Sequence, residues 1–155
     1  MSKTLTTKEL GGFLNGVVNR LEQPKASKVL SEWNDELAGD LAKGFLSGES
    51  PDGVPWAPLK NPRPPGHNPG TRPLIDTGDL LRSVVSDGPG HIEIVTDDAT
   101  TFGTNIVYAG VHQDGSKEDS KNNIPARPFI GIPDESLDKA IEMLSGHLIT
   151  TIDAI

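Results

Sequence analysis

No cysteine occurs in the 155 residues. That excludes disulfide staples, thiolate nucleophiles and cysteine-ligated zinc, and it suits a protein matured in a reducing compartment. Basic residues are few: 14 Lys and Arg stand against 22 Asp and Glu, a formal charge of −8. Phosphate neutralisation by Lys and Arg dominates nucleic-acid affinity, so this balance argues against a DNA-gripping face, although an acidic wall still lets a moving polyanion pass without sticking. No apolar run approaches the roughly 18–20 residues that span a bilayer, and Met1-Ser2-Lys3-Thr4 leads into a polar segment instead of a signal-peptide core. Also missing are a Gly-Lys-Ser/Thr phosphate loop and a G-x-S-x-G elbow. The histidines at 67, 91, 112 and 147 show neither HxxxH nor HxH spacing. The chain therefore reads as one soluble, unexported domain with no cofactor, no metal and no membrane partner. Its apolar content of 34% suffices for a modest core.

Helical signals frame the sequence. Thr6-Thr7-Lys8-Glu9 has capping-box spacing and precedes Leu10, Phe13, Leu14, Val17, Val18 and Leu21, an amphipathic helix ending before Pro24. Val29, Leu30, Trp33, Leu37, Leu41 and Phe45 recur at intervals of three or four, which predicts a second helix over about 25–46, closed by Gly48 and Pro51. A short Glu-Gln-Pro connection suggests that the two pair as an antiparallel hairpin. Asp134 is suited to cap a last helix that would bury Leu137, Ile141, Leu144, Leu148 and Ile152.

Between these helices the character changes. Eight of the thirteen prolines lie at 51, 55, 58, 62, 64, 65, 69 and 73, so 51–73 is an extended loop. Trp56, Lys60, Arg63, His67 and Arg72 give it material for docking a neighbour. Ser83–Ser86 and His91–Thr96 flank Asp87-Gly88-Pro89-Gly90, the pattern of a β-hairpin. Phe102–His112 reads as a strand running into a helical turn near Tyr108. Residues 113–123 are a polar, flexible loop. Ile124–Ile132 is rich in β-formers but carries Pro125 and Pro128, which suits an edge strand. The expected architecture is α+β. It comprises an N-terminal helical hairpin (1–50), the Pro-rich loop (51–73), a β-rich core built on a small antiparallel sheet (74–132), and a C-terminal helix (133–155) packed on the sheet.

Two features invite chemistry. Asp76-Thr77-Gly78 is the triplet of aspartic proteases, and Leu74-Ile75 before it and Phe129-Ile130-Gly131 downstream fit a dimeric enzyme whose two carboxylates share a proton. Against this, Asp79 replaces the small residue those enzymes keep, Leu80-Leu81-Arg82-Ser83 continues as a helical turn, and no Gly-rich flap is found. The bland reading gives Asp76 or Thr77 the task of capping that turn, with Gly78 completing it. Arg127, stiffened between Pro125 and Pro128, could pair with Asp76 or Asp79, or reach a carboxylate on a neighbour.

Four motifs in order carry a resemblance. Asp52-Gly53-x-x-Trp56-x-x-Leu59, Leu74-Ile75-Asp76-Thr77-Gly78-x-Leu80-x-x-Ser83, Tyr108-Ala109-x-x-His112-Gln113-x-Gly115 and Ile124-Pro125-Ala126-Arg127-Pro128-Phe129-Ile130-Gly131 together resemble the phage virion morphogenesis (tail completion) family over about 50–135. The Pro-rich 61–73 stretch and Asp79, where a basic residue is common, depart from its pattern. The resemblance implies a structural virion protein without catalytic residues, acting in tail completion or head-tail joining. It implies a closed ring of identical subunits at the neck or the head-proximal tail end, such as a tail terminator or connector. Its partners would be neighbouring neck, connector and tail tube proteins, with DNA passing through the lumen without specific binding. Trp56, Arg63, Arg72, His112 and Phe129 are then the expected subunit or partner contacts, and acidic side chains are expected to approach the channel. The rivals are the particle-maturation protease and an assembly chaperone that leaves before the virion is complete.

Overall fold

The spine of the molecule is the longest apolar stripe of the sequence. In the computed structural model, which describes residues 6–23, 25–116 and 123–153, helix α2 (Ser27–Ser47) buries Leu30, Trp33, Asn34, Leu37, Leu41 and Phe45. Around it, in chain order, stand α1 (Thr7–Glu22), α3 (Asp79–Val85), strands β1 (His91–Val95) and β2 (Thr100–Thr104), α4 (Ala109–Asp114) and α5 (Asp134–Asp153). The architecture is α+β, as expected. Met1–Thr4 and most of the expected 113–123 loop, residues 117–122, lie outside the described residues.

Helix α1 begins with the capping box read from the sequence: Thr6 and Glu9 satisfy each other's backbone N–H groups. Its partner differs from the expected one. Instead of pairing with α2, α1 makes its principal contact with α5, where the Arg20 guanidinium donates to the Thr151 carbonyl. The cause is that the apolar face of α2 is already covered by α3, the strands and α5. The connection adds to this: the Ala26 N–H is tied to the Asp97 carbonyl at 2.8 Å, which aims the chain at the strand turn.

Helix α5 packs on α2 and not on the sheet. The face it buries is rotated from the expected one. Ser136 and Ala140 are buried, Met143, Leu144, Leu148 and Ile152 are half-buried, and Leu137 and Ile141 remain 46% and 56% exposed. Polar tethers set this rotation: Trp33 Nε1 donates to the Ser136 carbonyl at 2.9 Å, Ser136 Oγ donates to Asp40 at 2.7 Å, and Lys139 pairs with Glu36.

The sheet is a two-stranded antiparallel hairpin, with His91 opposite Thr104 and Val95 opposite Thr100. The expected pairing of 83–86 with 91–96 is not formed, because 79–85 is helical. There Leu80, Ser83 and Val84 fall three and four apart and are all buried, so packing against α2 overrides the β preference of Val84-Val85. The 74–132 segment thus carries two helices besides its two strands. Ile124–Ile132 carries no regular secondary structure and, among the described residues, joins no strand. Gln113 serves in place of a strand neighbour: Oε1 accepts from the Phe129 and Ile130 amides at 3.0 and 3.2 Å, and Nε2 donates to the Ile130 carbonyl at 2.9 Å.

Phe45 lies at the centre of the core, edge-on to Trp56 at 5.6 Å and tilted against Phe129 at 5.6 Å. Trp33, Leu37, Leu41, Leu80, Val84, Ala109 and Ala140 complete the cluster. Buried Asn34 is satisfied by Glu93 and Thr100, each at 2.8 Å, which pins the hairpin to α2.

Candidate functional site

The residues singled out in the sequence converge on a cleft of about 480 Å³ lined by the Pro-rich loop, the turn into α3, and α4 with its N-terminal flank. Arg63, Asp76, Thr77, Gly78, Asp79, His112 and Arg127 all line it. Trp56 and Phe129 do not: both are buried in the chain's own core, so neither is a surface contact. Arg72 is exposed, and its carbonyl accepts a bond from the Arg63 guanidinium.

Gly78, with φ 83°, is the N-cap of α3, and α3 has no side-chain cap. A left-handed residue is needed there, and glycine adopts that conformation without strain. Asp76 therefore does not cap the helix. Its Oδ1 accepts the Asn68 amide at 2.9 Å, Oδ2 meets His67 Nδ1, and the Arg63 guanidinium stands 3.9 Å away. Arg63 in turn donates to the carbonyls of Asn68, Gly70 and Arg72. The Pro-rich loop is thus folded onto its own chain through one carboxylate and one guanidinium. The His67 bond and then the Asn68 amide hold the Asp76 carboxyl below its ordinary 3.8. A depressed folded midpoint means that the clamp is complete above the ordinary value and is lost as pH falls through the lower folded one. Asp76→Ala is expected to speed hydrogen exchange at the Asn68 amide while leaving the α3 amides unchanged. Faster exchange at the α3 amides, with the Asn68 amide unchanged, would instead restore the capping role.

The triplet also lacks the scaffold of a protease turn. Leu74 has φ 63°, and among the described residues no strand precedes Asp76. Asp79 is engaged with Thr77 Oγ1 at 2.6 Å and with Arg82. Consequently the expected pairing of Arg127 with Asp76 or Asp79 does not form. Arg127, 5% exposed, donates from Nε to the Ala57 carbonyl at 2.7 Å and from one Nη to the Pro58 carbonyl at 3.1 Å. Its own amide donates to the His112 carbonyl at 2.7 Å. Burial pulls its pKa down from the usual arginine value.

His112 stands edge-on to Tyr108 at 5.9 Å, with Nδ1 buried and without a hydrogen-bond partner among the described residues. Burial, then the positive charge of Arg127, pushes its pKa below the ordinary 6.5. The folded state therefore resists protonation, so the stability it contributes is present above 6.5 and is lost as pH falls from there through the folded midpoint. His112→Gln should flatten that part of a denaturation-midpoint profile against pH; an unchanged slope would show that another group carries it.

Gln113 and Gly115 were legible only as motif letters. Gly115, with φ 81°, lets the chain pass so near Ala126 that a Cβ would lie 2.9 Å from its amide nitrogen. Among the described residues no group of three or more His, Asp or Glu could hold a metal, and no helix is long and apolar enough to cross a membrane.

A second feature is the face of α1 turned away from α5. No residue of this helix is buried, and Leu10, Phe13, Leu14, Val18 and Leu21 are exposed, Leu14 by 52% and Leu21 by 55%. The stripe is left uncovered by the described residues.

A helical core bearing a small hairpin, a cleft whose carboxylates serve the chain's own loops, and an uncovered apolar helix define an α+β protein in which ordered loops outweigh the sheet. The chain belongs to the phage virion morphogenesis family, whose model matches residues 5–149. It is also similar to the uncharacterized protein MJ0331 of Methanocaldococcus jannaschii, with 35% identity over 118 residues that cover 73% of this chain and 78% of that protein. No solved structure matches.

Proposed function

We propose that the chain is a structural protein of a tailed-phage virion. In this reading it acts in tail completion and head-tail joining as a closed ring of identical subunits around the DNA channel, at the neck or the head-proximal end of the tail. The observation that carries the reading is the uncovered stripe of α1 in a chain of a virion morphogenesis family. Five large apolar side chains left in water cost on the order of 1 kcal/mol each relative to burial, which a neighbouring subunit recovers. The charge of −8 suits a lumen that DNA crosses without adhering. Assembly takes place in the host cytoplasm and the protein ends in the virion.

Quantitative mass spectrometry of purified particles tests this. The chain is expected at a fixed copy number matching a ring. Its absence from complete particles, with presence in assembly intermediates, would make it a chaperone that leaves.

A further inference from the structure

Two guanidiniums line the cleft, and only one has a counter-charge. Arg63 faces Asp76, whereas Arg127 forms no ion pair among the described residues. Two backbone carbonyls occupy its Nε and one Nη, and the other Nη makes no hydrogen bond among these residues. A cation buried this far is costly without an opposite charge, and carbonyl dipoles offset only part of that cost. Beside it His112 Nδ1 is buried and has no hydrogen-bond partner among the described residues. The other charged groups at the cleft are engaged: Asp76 with His67 and Asn68, Asp79 with Thr77 and Arg82. One wall therefore holds an unneutralised guanidinium with the His112 ring beside it, in a space of about 480 Å³ that admits a side chain.

We infer that this cleft receives a carboxylate from a second copy of the chain, seated on Arg127 beside the His112 ring. The guanidinium fork matches a carboxylate, and the chain carries 22 Asp and Glu against 14 Lys and Arg, so a neighbouring copy has carboxylates to spare. A cleft on one subunit and a carboxylate on the next are different patches, so the contact is head-to-tail, the kind that closes a ring. The inference rests on the ring reading in naming a second copy as occupant.

The test is NMR of the full-length chain, following the His112 ring and the Arg127 Nε–H from dilute monomer to associated protein, with sedimentation run on the same samples. Association is expected to raise the His112 midpoint, because an arriving carboxylate favours the imidazolium. His112→Phe, which leaves the Arg127 carbonyl bonds in place, should weaken association about tenfold. An associated form that is lost when α1 is made charged, yet leaves the His112 midpoint unmoved, would keep the ring and overturn the carboxylate. A chain that never associates would overturn the second copy. Acetate replacing chloride at constant ionic strength forms the control arm: if it moves the dilute monomer's His112 midpoint as far as association does, the occupant is a small carboxylate and the inference fails.

Discussion

Phe45→Ala is expected to destabilise the protein by about 3–5 kcal/mol, the usual cost of emptying a buried aromatic position. Phe45 is 0% exposed and touches both Trp56 and Phe129, so no solvent or flexible neighbour can fill the space. A domain with a net stability of about 5–15 kcal/mol would lose much of it. The effect also reaches the cleft. Trp56 precedes Ala57, Phe129 follows Pro128, and Trp56 Nε1 donates to the Pro128 carbonyl at 2.8 Å, so the Arg127 carbonyl cradle hangs on the same aromatic cluster. Urea denaturation should show a lowered midpoint with an unchanged slope. A loss under about 1 kcal/mol would mean that the cluster repacks and is not the centre of the fold.

The second large effect is on assembly. Leu14→Lys combined with Val18→Lys places two charges in the middle of the exposed α1 stripe. The monomer should keep its stability within roughly 0.5 kcal/mol, because these side chains are exposed within the protomer. Association should be abolished, since each ammonium would have to be desolvated in an apolar contact without a partner. Sedimentation velocity and incorporation into particles read this directly. A double variant that still forms the wild-type oligomer would remove α1 from the interface.

What could be read from the sequence followed from local chemistry. The Thr6–Glu9 box, the Leu30-to-Phe45 periodicity and the helix after Pro133 needed only neighbours within one or two turns, and all three elements are present. What misled was decided by contacts distant in sequence. Val84-Val85 look like strand, but Leu80, Ser83 and Val84 are drawn onto α2, and 100–104 becomes the partner of β1. Trp56 and Phe129, in Pro-rich surroundings, looked like contact residues because nothing local shows that Phe45 covers both. Arg127 was legible as a fixed guanidinium, yet its acceptors lie at Ala57 and Pro58, carbonyls that carry no side-chain signature. Asp76 holds a turn, though not by the capping that the bland reading gave it. The turn it holds is the Pro-rich loop, through Asn68 and His67, and not the start of α3.

Where this chain sits in a particle decides its role, and a cryo-electron-microscopy map of the intact neck measures that directly. The expected result is a closed ring of identical copies at the head-tail junction, with the Leu10, Leu14, Val18 and Leu21 face of α1 covered by an adjacent subunit and DNA in the lumen. A junction without this chain, or one in which that face looks into solvent, would contradict it.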